Sequence, residues 1–344
     1  DIQPRDLRPI MHRSPTDPTR LPDQLCAEYA PYTGGGGGGG SGLVPAYWVE
    51  RYEREAGKNW ELFYRRNRDR FFKDRHYLQA EWADELAPDG GSGEAAEAAA
   101  GVAADAAAEA AAEAPEAEEL TACRAQLSQA SLGGGSGVRV LLEAGCGVGN
   151  TLFPLLRAMP ALTVYALDLS ATAVGIVRSH PLAEAGRVVA AVGDLTKGSL
   201  PPELSGCAAD VATLMFVLSA IAPSKFGAAL RAVRSGLRPG GAVLLRDYGA
   251  GDGACARMEA GREAKRLDAS APWLVRQDGT RAYFFSVGAL RELFEREGFE
   301  TLECAYAHRT TANRATGATL SRTFVTARFR RPASDALDAE FSAP

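Results

Sequence analysis

The sequence predicts an α/β fold: a doubly wound, mostly parallel sheet of seven strands with an antiparallel hairpin at one edge, preceded by an N-terminal helical extension. Three observations predict it. From residue 138 onward, short apolar runs of strand length alternate with stretches of helical pattern. The first run, Val138–Ala144, leads straight into closely spaced glycines, as a buried parallel strand turning into a helix does. The last two runs follow one another with no helix between them, which calls for an antiparallel pair. With 344 residues, 46% of them hydrophobic, the chain has material for at least one full core. No run approaches the ~18 apolar residues of a membrane-spanning helix.

Residues 1–45 are rich in Pro and contain seven consecutive glycines, Gly34–Gly40. Such a segment buries too little apolar surface to offset its ordering entropy and reads as disordered. Residues 46–86 read as a helical extension that is unusually aromatic, with Trp48, Tyr52, Trp60, Phe63, Tyr64, Phe71 and Phe72. Residues 87–137 are Gly/Ser at both ends and Ala/Glu between, a low-complexity insertion. The folded domain then runs over 138–331. It is expected to hold strands at 138–144, 162–168, 187–192, 209–216, 242–247, 299–307 and 322–330. Helices are expected at 149–158, 170–180, 223–237 and 286–297. Arg238-Pro239-Gly240-Gly241 reads as the turn into the fifth strand. Residues 332–344 read as a disordered tail. The chain begins at Asp1, so a fragment or processed product is expected.

Six cysteines lie far apart, with no Cys-x-x-Cys pair for zinc or redox chemistry, so no metal is expected and scattered thiols fit a reducing, cytoplasmic setting. The net charge of −5 disguises an uneven distribution. Residues 94–119 carry eight acids and no base, and the rest of the chain is net positive. Positive charge concentrates in Arg65, Arg66, Arg68, Arg70, Lys73 and Arg75, and in six arginines over 308–331. Such local patches decide whether phosphate can dock.

Glu143-Ala144-Gly145-Cys146-Gly147-Val148-Gly149-Asn150 follows the first strand and opens the first helix. A dinucleotide fingerprint is G-x-G-x-x-G; here the third glycine comes one residue early and no phosphate-binding lysine follows, which disfavours NAD and ATP. The E-x-G-C-G-x-G form resembles motif I of the class I S-adenosylmethionine-dependent methyltransferases, whose fold is Rossmann-like. Asp168, 23 residues after Gly145, ends the second strand, where a carboxylate can accept both ribose hydroxyls. Asp194 follows the third strand, where an adenine amine can be read. Alone, each acid is an ordinary helix cap or turn residue; together with the glycine loop they point to S-adenosyl-L-methionine.

Further segments are more specific. Lys58-Asn59-Trp60-Glu61-Leu62-Phe63-Tyr64-Arg65-Arg66-Asn67 and Phe71-Phe72-Lys73-Asp74-Arg75-His76 resemble the methyltransferase-like proteins two, six and eight, the eukaryotic tRNA N3-cytidine methyltransferases. So do Leu214-Met215-Phe216-Val217-Leu218-Ser219, Leu245-Arg246-Asp247-Tyr248-Gly249 and Val275-Arg276-Gln277-Asp278-Gly279-Thr280-Arg281, the last most similar to the sixth member. The resemblance covers about 46–86 and 138–331. It implies cofactor contacts at Trp60, Tyr64, Gly145, Gly147, Asp168, Asp194, Leu195 and Met215, and RNA contacts at Arg276, Arg281 and Arg309. It also implies cytidine 32 of an anticodon loop as target, serine tRNAs as substrates and seryl-tRNA synthetase as partner. The chain departs from the family in its longer insertion before the first strand, and in His308-Arg309-Thr310-Thr311, which lacks an acid after the arginine.

Trp60 and Tyr64 are four residues apart and share a helix face, where they can close over a cofactor or dock the helix on the sheet. N3 of cytosine keeps its lone pair at neutral pH, so catalysis is expected to be mainly positioning, with a carboxylate stabilising the cation that forms. Asp247, Asp74 and Asp278 are the candidate carboxylates. The base must be unpaired or flipped, and Phe71, Phe72, Lys73, Arg75 and His76 offer stacking and phosphate contacts. Two other readings stay open: a methyltransferase of small molecules or proteins, and a non-catalytic cofactor- or RNA-binding module.

Overall fold

The computed structural model describes residues 43–69, 74–75, 139–260, 266–312 and 319–333. The expectations for 1–42, for Phe71, Phe72, Lys73 and His76, for the insertion at 87–137 and for the tail from 334 lie outside the described residues.

In chain order the elements are α1 (Ala46–Arg54), α2 (Ala56–Asn67), β1 (Val140–Ala144), α3 (Leu152–Ala158), β2 (Thr163–Asp168), α4 (Ala171–Arg178), β3 (Val188–Val192) and β4 (Ala209–Met215). They continue with α5 (Phe226–Gly236), β5 (Leu237–Tyr248), α6 (Gly253–Glu259), β6 (Trp273–Val275), β7 (Arg281–Tyr283), α7 (Val287–Arg296), β8 (Glu300–Ala312) and β9 (Thr319–Arg330). Seven strands form one sheet in the order β3-β2-β1-β4-β5-β9-β8. The expected doubly wound architecture is therefore present: β1 pairs in parallel with β2 and with β4, and β2 with β3. β8 and β9 are neighbours joined by six residues, too few for a parallel crossover, so they make the expected antiparallel hairpin. The described residues divide into two compact units: one made of Trp60–Met215, Gly227–Val243 and the chain from Arg330, the other of the residues before Trp60, Phe216–Phe226 and Leu244–Phe329.

In the first unit, β1 buries four of its five residues, as a strand covered on both faces must. α3 buries Leu152, Phe153, Pro154, Leu155 and Leu156; Pro154 is tolerated because it stands in the first turn, where its missing N–H has no helical partner. α4 is capped by Ser170, whose hydroxyl accepts from the Ala173 amide. α2 ends where Arg68 turns left-handed (φ 48°) and its N–H donates to the Tyr64 carbonyl, while Asn67 Nδ2 donates to the Phe63 carbonyl. Phe63 and Tyr64 are buried with Val148 and Ala173, and Trp60 packs on the same group.

In the second unit, α1 packs Val49 and Tyr52 against Trp273, Val275 and Leu267. Polar contacts fasten the same helix. Glu53 pairs with Arg281 and, at 2.5 Å, with Lys225; burial raises its pKa, but the two cations outweigh that and hold it low. At the start of α2, Asn59 Nδ2 donates to the Gly279 carbonyl at 3.1 Å.

The structure differs from three expectations. Among the described residues the helical extension is two helices broken at Glu55, and Asp74–Arg75 are not helical. β5 begins at Leu237, before the Pro-Gly-Gly turn, because Gly240 donates to the Arg331 carbonyl and Arg331 donates back to Gly241. Between β5 and α7 the chain forms α6 and the antiparallel pair β6–β7, too short for any periodicity to mark.

Candidate cofactor and nucleobase sites

The glycine loop of the first unit is built by left-handed backbone. Gly145, Gly147 and Gly149 have φ of 77°, 54° and 97°, which residues with a Cβ rarely adopt. The Gly145 and Cys146 amides both donate to the Leu167 carbonyl at 2.7 and 2.8 Å, tying the loop to β2. Asp168 ends β2 and is 8% exposed. Its Oδ2 accepts from the Gly147 amide at 2.8 Å and its Oδ1 from the Ser170 amide at 2.9 Å. Burial raises its pKa, opposed by these amides.

Tyr64 roofs this loop. A Cβ on Gly147 would lie 2.7 Å from the Tyr64 hydroxyl oxygen, so only glycine leaves room there. Trp60 stacks on Tyr64 with ring centroids 6.0 Å apart. Asp194 caps the short turn Leu195–Lys197 by accepting from the Thr196 amide and hydroxyl, and Leu195 is buried beside it. Met215 ends β4 with 4% exposure. Glycine loop, aromatic roof, Asp168, Asp194, Leu195 and Met215 thus belong to one unit, at the carboxyl ends of β1 to β4, where doubly wound sheets bind nucleosides. A glycine cradle with a carboxylate at the next strand end fits a nucleoside cofactor.

The other predicted residues of this unit sit differently. Arg75 turns inward: its NH1 donates to Thr151 Oγ1 at 2.7 Å and its amide to the Asn150 carbonyl at 2.9 Å. Its guanidinium also acts on Glu143, the first residue of the glycine motif. Glu143 is 1% exposed, and neither of its oxygens has a hydrogen-bond partner of full geometry. Burial pushes its pKa up to about 8, with Arg75, the nearby Thr151 hydroxyl and the Leu152 amide pulling the other way. Asp74 accepts from Asn150 at 3.0 Å and pairs with Arg157 at 3.4 Å. Arg75, expected on phosphate, and Asp74, expected in catalysis, tie residues 74–75 to Asn150, Thr151 and Arg157 at the two ends of α3.

The second unit holds a group that sequence reasoning did not assemble. Phe216 is left-handed (φ 62°), a strained conformation for a bulky residue, and its amide donates to the Arg246 carbonyl at 2.8 Å. Its ring packs against Tyr248 (5.1 Å) and edge-on to Phe324 (5.7 Å), and all three rings are half-buried. Three guanidinium groups lie over this cluster: Arg246 at 5.1 Å from Phe324, Arg276 at 5.4 Å from Tyr248, and Arg322 at 5.0 and 5.7 Å from Phe324 and Tyr248. Arg322 is fixed by Asp252, which is 1% exposed and also accepts from the Thr323 amide.

Asp247, at the end of β5, is fully buried and accepts from the Ser219 amide at 3.0 Å and the Tyr248 amide at 2.9 Å. Burial lifts its pKa to about 6, against the pull of Ser219, Tyr248 and Arg276. Asp278 is taken up in the β6–β7 turn, accepting from the Thr280 amide and hydroxyl. Arg281, expected on RNA, is buried against Glu53 and Trp273. Arg276 NH1 donates to the Arg281 carbonyl at 2.7 Å. Arg309 lies in β8 with its Nε buried. Phe216 and Tyr248 stood in recognisable segments, but nothing local indicated that Phe324 and Arg322, 74 or more residues downstream, would join them.

Comparison with known proteins agrees with this geometry. The Methyltransferase domain family matches residues 64–304. The tRNA N(3)-cytidine methyltransferase METTL6 of Mus musculus is 38% identical over 293 residues, covering 85% of this chain and 87% of that protein. METTL6 of Homo sapiens is 36% identical over 290 residues, covering 84% and 85%. The tRNA N(3)-cytidine methyltransferase METTL2 of Danio rerio is 36% identical over 290 residues, covering 84% and 77%.

Proposed function

Because the chain belongs to the family of tRNA N(3)-cytidine methyltransferases that includes METTL6 and METTL2, we propose that it methylates N3 of a cytidine in tRNA, using S-adenosyl-L-methionine. The target in this reading is cytidine 32 of the anticodon loop, in serine tRNAs, with seryl-tRNA synthetase as a partner and the cytoplasm as the compartment. The resemblance of residues 275–281 to the sixth member of the family supports that finer choice.

When bound, the cofactor supplies an electrophilic methyl group on a sulfonium. Asp168 would hold its ribose, Asp194 and Leu195 its adenine, and Trp60 and Tyr64 would shut water from its methionine end. Cytosine N3 carries its own lone pair, so the chain needs no strong base and works by holding the base and excluding water. Phe216, Tyr248 and Phe324 offer faces for the base, and Arg276 and Arg322 offer donors for its carbonyl and the neighbouring phosphates, while the buried Arg246 backs Phe324. The product base is a cation, which the Asp247 carboxylate favours electrostatically.

The observation that carries this reading is the half-buried aromatic trio under three arginines, built around a strained Phe216. A flat base can stack on that aromatic face, with the partly exposed Arg276 and Arg322 beside it. Serine tRNA transcripts with cytidine or uridine at position 32 test it: methyl transfer to the first and none to the second supports the reading, and equal transfer to both contradicts it.

A further inference from the structure

We propose that Glu61 is a positioning residue for the cofactor site: its carboxylate fastens α2, and with it the Trp60–Tyr64 roof, to the start of α4, and so sets how long the cofactor stays bound. The proposal rests on the S-adenosylmethionine reading above.

Glu61 makes four hydrogen bonds. Oε2 accepts from Ser170 Oγ at 2.6 Å and from the Thr172 amide at 3.1 Å. Oε1 accepts from Thr172 Oγ1 at 2.5 Å and from Arg65 Nε at 2.9 Å. Three of these cross from α2 to the first residues of α4, where the exposed amides of a helix start favour a negative charge. The donors, Ser170 first, hold the Glu61 pKa down at about 2, so the latch stays charged throughout the physiological range.

The latch closes a ring of contacts. Glu61 holds the Ser170 hydroxyl, the Ser170 amide donates to Asp168, and Asp168 accepts from the Gly147 amide. Gly147 lies under the Tyr64 hydroxyl, and Tyr64 is one turn from Glu61 on α2. Each link involves a residue of the proposed cofactor site or its immediate neighbour. Asn59, in the first turn of α2, donates to the Gly279 carbonyl; beside the roof itself the polar hold is Glu61, since Arg65 is on its own helix and Phe63, Tyr64 and Trp60 make the apolar remainder of the contact. Releasing Glu61 therefore frees the roof to lift while the ribose carboxylate and glycine loop stay in place. Lids act mainly on escape of a bound ligand, so the effect belongs in the dissociation rate.

The test measures binding of S-adenosylhomocysteine to the full chain, with affinity by calorimetry and rates by stopped flow. Wild type, Glu61→Ala, Glu61→Gln and Thr172→Val are compared. Glu61→Ala is expected to weaken binding about tenfold, through faster dissociation at unchanged association. Glu61→Gln keeps one acceptor oxygen and sets an amide NH2 in place of the other, so it should fall by about threefold, and Thr172→Val, which loses one donor, should also fall by about threefold. If Glu61→Ala fails to fold, Thr172→Val carries the test. Dissociation rates within twofold of wild type in the folded variants, whatever their melting temperatures, overturn the proposal. Wild type that binds no S-adenosylhomocysteine overturns the cofactor reading itself, which is a separate outcome.

Discussion

The Tyr64 hydroxyl and Gly147 are built for each other: a single methyl group on Gly147 would lie 2.7 Å from that oxygen, and the Gly147 backbone is left-handed at φ 54°. Gly147→Ala therefore meets both a steric conflict and a backbone strain of about 1–2 kcal/mol. Cofactor affinity should fall by about tenfold or more in calorimetry. Adding Tyr64→Phe removes the clashing oxygen and should recover part of the loss, whereas additive losses would show that Tyr64 does not roof the loop.

Asp168→Ala should weaken cofactor binding by about 3 kcal/mol, two charge-assisted hydrogen bonds' worth. The same carboxylate also holds the Gly147 and Ser170 amides, so the melting temperature should fall as well. Asp168→Asn, which keeps one acceptor, should be milder in both. Unchanged affinity in either variant would remove Asp168 from the site.

Stability should decline as pH rises between about 4.5 and 8 on account of Glu143. Its pKa is raised from 4.5 to about 8, so in that window the folded chain keeps a proton that the unfolded chain has lost, and rising pH favours unfolding. Above 8 the contribution levels off. Denaturation at several pH values should show a shallower decline in Glu143→Gln; an identical slope would mean that Glu143 is not buried as described.

Arg75→Glu alone should weaken cofactor binding, because it sets a second acid beside Glu143 and removes the Thr151 contact. Lys73→Glu should leave cofactor affinity within about threefold and flatten the salt dependence of tRNA binding by about one unit. Arg281→Ala should lower the melting temperature by leaving Glu53 with Lys225 as its one cation, with no change in that salt slope. Calorimetry and tRNA binding at several salt concentrations separate the three.

These cases show what the sequence could and could not disclose. The strands of the first unit were legible because each is a continuous apolar run followed by a turn, and the glycine loop because its backbone demands glycine at fixed spacing. Asp168 and Asp194 were legible from their places at strand ends. The partners of Arg75 and Arg281 were not legible, because a local window shows a charge and not its partner: the acid that pairs with Arg281 is Glu53, 228 residues away. Glu61 stayed hidden for the same reason, since Ser170 and Thr172 lie 109 and 111 residues downstream. The β6–β7 pair has three residues per strand, fewer than any periodicity needs.

The pH dependence of turnover should show an acid limb near 6, set by Asp247. Below that pH the carboxyl is neutral and no longer favours the cationic product, so the rate falls. Asp247→Asn should abolish the limb and lower turnover about tenfold or more at neutral pH. A limb that persists in this variant would assign it to another group.

Nucleoside mass spectrometry of tRNA treated with the purified chain and S-adenosyl-L-methionine, with seryl-tRNA synthetase added, identifies the product. N3-methylcytidine is expected in wild-type reactions, and its loss when Tyr248 and Phe324 are both changed to alanine. Transfer RNA that gains no N3-methylcytidine, or that gains a different methylated nucleoside, would contradict the proposed function.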